Sequence, residues 1–120
     1  MGAIPVALGG AVGALGRYGL SLLPLRTELP VLTLVTNLLG ALLIGFLTGL
    51  AERREGLSPQ AMLFWKTGVC GGFTTFSTFS LEAFQLLERR AYAWAGAYMA
   101  CSVAGCLAGV LAGKRLAALL

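Results

Sequence analysis

The 120-residue sequence has no histidine and no aspartate, and only 12% of its residues are charged. Without histidine there is no Ser/His/Asp or Cys/His nucleophile and no His-Glu-x-x-His zinc site, and without aspartate there is no aspartyl-phosphate chemistry. The chain is therefore expected not to be an enzyme. A soluble domain carries roughly a quarter of its residues charged, whereas 58% of this chain is hydrophobic and its mean hydropathy is +0.83. That composition excludes a disordered chain and a nucleic-acid-binding domain and points to a protein embedded in a lipid bilayer. The net charge of +4 comes from nine Lys and Arg against five Glu, gathered near the ends of apolar runs as in membrane loops. Cysteine is scarce too: Cys70, Cys101 and Cys106 lie inside apolar runs, with Cys101 and Cys106 about 140° apart around a helix. They read as small packing residues with no disulfide framework.

Residues 29–51 and 91–113 are free of charge, 23 residues each. At about 1.5 Å per residue each can cross a hydrocarbon core of roughly 30 Å. Two further spans follow if embedded charges are allowed, giving spans of about 2–23, 31–52, 60–88 and 91–113 in a single domain, 1–120. Arg17 interrupts the first; Lys66 and Glu82 interrupt the third. Ser58 and Pro59 suit the N-cap and first turn of the third span. No Lys or Arg precedes Arg17, so a removable signal peptide is not expected and the first segment should stay in the membrane.

Four spans place Arg53, Arg54, Lys66, Lys114 and Arg115 nearest one side and Arg17, Arg26, Arg89 and Arg90 nearest the other. Five against four leaves almost no bias to set orientation. Either the chain inserts both ways and inverted copies pair as an antiparallel dimer, or a weak bias selects one orientation. The 17 glycines are too many for turns. Gly9, Gly13 and Gly16 share a face of the first span, Gly45 and Gly49 are four apart in the second, and Gly105, Gly109 and Gly113 form a stripe in the fourth. Such stripes serve packing within one copy or contact with a partner.

The segment from Gly71 to Ser80 interleaves five hydroxyl residues and three phenylalanines after a glycine pair. Gly71, Gly72, Thr74 and Thr75 weaken a helix, so a break near the midplane is expected. Freed carbonyls there can hold a hard cation, and the next half-helix offers N–H groups to an anion. On a wheel of about 100° per residue, Thr75, Thr78 and Glu82 share one stripe, with Phe79 beside it and Phe76 next. Ring edges carry partial positive charge and can face an anion; the alternative is that the rings pack and the hydroxyls bond back to the helix. Tyr98, Ser102 and Cys106 recur every four residues in the fourth span. Asn37 serves as interhelical glue or as a transport group. Arg17 either snorkels to the interface or pairs with Glu82 or Glu28. Lys66, beside Trp65, reads as an interfacial anchor.

Three blocks of sequence strongly resemble the Fluc family of fluoride channels, also called CrcB-type fluoride exporters: residues 9–18 (GGAVGALGRY), 33–40 (TLVTNLLG) and 68–79 (GVCGGFTTFSTF). The resemblance implies an all-α membrane protein with four transmembrane helices and a broken third helix, assembled as an antiparallel, dual-topology homodimer in the cell (inner) membrane. It implies passive, fluoride-specific export that lowers cytoplasmic fluoride. Phe76 and Phe79 would turn ring edges toward fluoride in the pore, with Asn37, Thr75, Ser77, Thr78, Tyr98 and Ser102 as further pore residues. The carbonyls of Gly71 and Thr74 from both subunits would hold a structural Na⁺ that is not transported. Arg17 would be a structural intramembrane charge. The competing class is a small proton-coupled multidrug exporter using Glu82, and a third is a non-transporting assembly subunit.

Overall fold

The computed structural model describes residues 1–25, 29–53 and 56–120. Arg26, Glu28 and Arg54, which enter the charge count or the pairing of Arg17, lie outside the described residues. Among the described residues five helical elements carry the fold: α1 (Ala3–Ser21), α2 (Val31–Ala51), α3 (residues 59–73), α4 (Phe76–Glu88) and α5 (Tyr92–Ala118). The described residues contain no strand. Three of these helices, α1, α2 and α5, are long and apolar enough to cross a membrane.

The element α3 is a continuous coil of three pieces. Pro59–Met62 starts it, with the Ser58 hydroxyl accepting the Ala61 N–H at 3.1 Å and Pro59 supplying no donor in a turn that has no acceptor for one. Leu63–Cys70 winds as a π-helix, and Gly71–Phe73 returns to α geometry. Beyond Phe73 the backbone is extended at Thr74 (φ −88°, ψ 158°) and Thr75 (φ −152°, ψ 119°), and helix resumes at Phe76. At its far end α4 stops with Arg90 at φ 59°. There the Ala91 N–H reaches the Leu86 carbonyl at 2.9 Å and the Arg90 N–H the Leu87 carbonyl at 3.0 Å, the two bonds that close a helix through a left-handed residue.

Two helix pairs make the body, α1 against α3 and α2 along α5, with α4 folded onto α5. Backbones touch at the glycines. A Cβ on Gly13 would run into the Val69 carbonyl and the Phe73 amide nitrogen, and one on Gly113 into the Leu42 carbonyl. The glycine stripes of the first, second and fourth spans are thus largely consumed inside one copy, as small residues are where apolar lipid offers no hydrophobic drive between helices. Gly10, Gly19, Gly71 and Gly96 are different, since a Cβ on any of them would meet nothing within 4 Å. The α4/α5 hairpin encloses a small cluster of Ala83, Leu86, Ala95 and Tyr98, against which Phe79 packs. Helix α5 runs five residues past Gly113. Its end is fastened to the end of α2 by a Lys114–Glu52 ion pair (3.0 Å) and by Arg53 Nη1 donating to the Ala117 carbonyl (2.6 Å).

Candidate ion pathway

The interruption at Thr74 and Thr75 exposes backbone groups that a bilayer core would leave without partners, at several kcal/mol each. Asn37, on α2, supplies them. Its Oδ1 accepts the Thr75 N–H at 3.0 Å and its Nδ2 donates to the Thr75 carbonyl at 3.2 Å, so one amide side chain stands in for both sides of a backbone pairing. The Thr75 hydroxyl in turn accepts the Thr78 N–H at 3.1 Å and caps α4. Thr74 sits in the notch that Gly40 leaves on α2, where a Cβ would collide with its Cγ2. Its own N–H and hydroxyl both turn back to the Cys70 carbonyl, at 3.0 and 2.8 Å.

Two cavities meet at Thr75. The larger, a groove of about 400 Å³, is lined by Asn37, Gly71, Thr74, Phe76, Phe79 and Ser102, with Lys66, Cys70 and Cys106 farther along its walls. Phe76 is 79% exposed, and its ring lies 5.7 Å from that of Phe79, inclined by 41°. The smaller, a polar pocket of about 280 Å³, is lined by Arg17, Ser21, Leu32, Thr33, Thr36, Thr75, Thr78 and Glu82. The wheel that puts Thr75, Thr78 and Glu82 on one stripe and the phenylalanines on the next therefore becomes two walls facing two different spaces.

The half-buried charges of the pocket are engaged. Arg17 Nε donates to the Gly72 carbonyl at 3.2 Å, in the last turn of α3 where helical carbonyls have lost their donors. Glu82 shares the pocket with Arg17 but accepts instead from Thr33 (3.1 Å) at one oxygen and Tyr98 (2.9 Å) at the other. Tyr98 is fully buried and lines neither cavity. Its ring lies behind that of Phe79, with centroids 5.1 Å apart and planes inclined by 47°.

The hydroxyls divide into two sets. Those of Ser21, Thr33, Thr36, Thr74, Ser80 and Tyr98 donate within the fold. Among the described residues, those of Thr78 and Ser102 have no protein partner, and the Ser102 oxygen is buried as well. Thr75 uses its oxygen as an acceptor and keeps its hydrogen, with only Ser77 nearby at 3.4 Å. Among the hydroxyls that line the two cavities, free donors remain at Thr75, Thr78 and Ser102; Ser77 lines neither cavity, and Thr48 and Thr67 elsewhere among the described residues also have no partner.

A protein family described as CrcB-like protein, Camphor Resistance (CrcB), matches residues 4–114. The chain belongs to the CrcB family. It is 46% identical over 107 residues to a Methylobacterium nodulans protein named fluoride-specific ion channel FluC, with 88% of this chain and 86% of the relative covered. A Nitrobacter hamburgensis relative named fluoride-specific ion channel FluC 1 is 43% identical over 117 residues, covering 94% and 92%. A Thermococcus kodakarensis FluC is 42% identical over 116 residues, covering 96% and 94%. With its apolar helices, this CrcB chain is a multi-pass membrane protein.

Three features of this CrcB chain had no signal that sequence reasoning used. The two-sided bond from Asn37 to Thr75 joins residues 38 apart. Arg17 reaches a backbone carbonyl instead of Glu82, and Glu28 lies outside the described residues. Lys66, read as an interfacial anchor, lines the groove.

Proposed function

We propose that the chain is a passive, fluoride-specific ion channel. The observation that carries this reading is the set of free hydroxyl donors at Thr75, Thr78 and Ser102 and the two phenylalanine rings that line cavities meeting at Thr75, in a chain whose relatives are named for fluoride conduction. A small anion gives up strong hydration to enter a low-dielectric passage, and only preorganised donors offset that loss. Hydroxyl hydrogens at Thr75, Ser77, Thr78 and Ser102 and ring edges at Phe76 and Phe79 are donors that do not ionise near neutral pH and bring no net charge to trap the ion. Movement is downhill, so a cell that has accumulated fluoride loses it. Glu82, already accepting at both oxygens, gives little support to a proton-coupled exporter.

In this reading the third span crosses the bilayer as two half-helices, α3 and α4, and two copies pair in opposite orientations. The open side of Gly71 in the groove suits a face covered by a second copy. A structural Na⁺ fits the same place. The Thr75 N–H that would close a helical bond to the Gly71 carbonyl goes to Asn37 instead, and Thr74 is extended, so two carbonyl oxygens beside the groove are left for a hard cation. Gly71 and Thr74 of each copy would hold the ion, which would supply fixed positive charge at the junction of the copies.

The test is flux from liposomes containing the purified protein, comparing fluoride with chloride and with a lipophilic cation, with and without Na⁺. Rapid fluoride loss with little chloride loss, dependent on Na⁺, is the expected result. Cation-selective flux driven by a proton gradient would replace this reading with the exporter.

A further inference from the structure

Among the described residues, Lys66 is the one charged side chain lining the groove. It projects from the π-helical piece of α3 and is exposed, and no carboxylate, carbonyl or ring takes its ammonium. Other basic groups set against the bundle are held: Arg17 by a carbonyl, Arg53 by a carbonyl, Lys114 by Glu52. An unpaired ammonium along a membrane segment is costly unless water or a counter-ion reaches it.

Lys66, Cys70 and Thr74 line the groove from the same element, and the wall continues to Phe76 and Phe79. Across from them Ser102 presents a buried hydroxyl with no protein partner. Ala41, Ile44, Val103 and Val110 fill in the rest with hydrocarbon. A charge among low-dielectric walls is poorly screened and raises the local concentration of ions of opposite sign.

We propose that Lys66 recruits anions into the groove, raising their concentration ahead of the Phe76 and Phe79 rings. The role rests on the fluoride-channel reading and adds to it a residue that acts by field, without touching the ion at the rings. Charge is what matters, so arginine can replace lysine and glutamine cannot.

The experiment is fluoride efflux from liposomes at a fixed fluoride gradient, with an impermeant salt added equally on both sides. Wild type, Lys66→Gln and Lys66→Arg are compared at about 10 mM and about 1 M ionic strength, where the screening length falls from roughly 30 Å to roughly 3 Å. At low salt Lys66→Gln should pass fluoride about threefold more slowly than wild type. Lys66→Arg should keep the wild-type rate, and at high salt all three rates should converge. Equal rates for wild type and Lys66→Gln at low salt overturn the proposal. So does a deficit in Lys66→Gln that persists at high salt, the result expected from a lipid-headgroup anchor or a folding defect. Absence of fluoride flux in wild type at both salts would instead bring down the channel reading itself.

Discussion

The groove and the polar pocket share Thr75 and little else. The pocket is walled by hydroxyls and by two opposite charges, each already hydrogen-bonded, Arg17 to the Gly72 carbonyl and Glu82 to Thr33 and Tyr98. The groove is walled by phenylalanine rings, aliphatic side chains, one orphan hydroxyl and one unpaired ammonium. An anion in the pocket would meet hydroxyls and a guanidinium beside a carboxylate; in the groove it would meet ring edges, few hydroxyls and an ammonium. One short helix separates these environments because its residues alternate between polar and aromatic at helical spacing. On the channel reading the groove selects and the pocket delivers, and that contrast can be broken from either side.

The groove should be the more sensitive side. Replacing both rings with Phe76→Ile and Phe79→Ile removes every aromatic edge from the groove while keeping apolar bulk. Fluoride efflux from liposomes should fall to background, and gel filtration should still show a folded protein. Wild-type flux in the double variant would remove the rings from the pathway and leave the hydroxyls alone to explain selection.

The junction comes next. Asn37→Ala strands the Thr75 N–H and carbonyl together, at about 1–3 kcal/mol for each group left unsatisfied, and should lower the midpoint of thermal unfolding in detergent markedly. Asn37→Asp keeps the acceptor for the Thr75 N–H and loses the donor to its carbonyl, so it should fall between. An alanine variant as stable as wild type would mean that the extended residues find other partners.

On the pocket side, Arg17→Met removes a charged donor from the end of α3, worth about 1.5–3 kcal/mol. Arg17→Lys should recover part of that, since an ammonium keeps the charge beside the Gly72 carbonyl but not the geometry of the guanidinium. Unfolding midpoints of the three proteins decide this. Full recovery by lysine would assign the effect to the helix dipole and not to the single bond from Nε.

How much of this was legible in the chain depends on the range of the interaction. Composition and charge-free runs were enough for an all-helical membrane protein, because lipid demands them residue by residue. The Gly-rich and Phe/Thr-rich blocks carried the family. The wheel separated Thr75, Thr78 and Glu82 from the two phenylalanines correctly, because the spacing within one helix is local. It could not say that the two stripes face different cavities, since that depends on α1 closing over one side and α3 and α5 over the other, with α2 reaching both. Arg17 and Asn37 were ambiguous for the same reason: their partners are backbone atoms, which every residue offers and no sequence marks. Lys66 lines a groove that exists only once α2, α4 and α5 are in place, so Trp65 beside it in the sequence gives no sign of that groove.

The smallest structural effect should come from Thr78, and it bears most directly on delivery. Its hydroxyl has no protein partner among the described residues, while its N–H is held by Thr75, so Thr78→Val changes neither the cap nor the shape of α4. Stability should move by less than about 0.5 kcal/mol, as for a substitution away from any buried bond. Thr75→Val is the contrasting change, because it deletes the cap itself at about 1 kcal/mol. If the pocket hands the ion to the groove through hydroxyl donors, both variants should slow fluoride efflux while only Thr75→Val lowers the unfolding midpoint. Unchanged efflux in Thr78→Val would confine the useful hydroxyls to Thr75, Ser77 and Ser102, and the pocket would then contribute water and not donors.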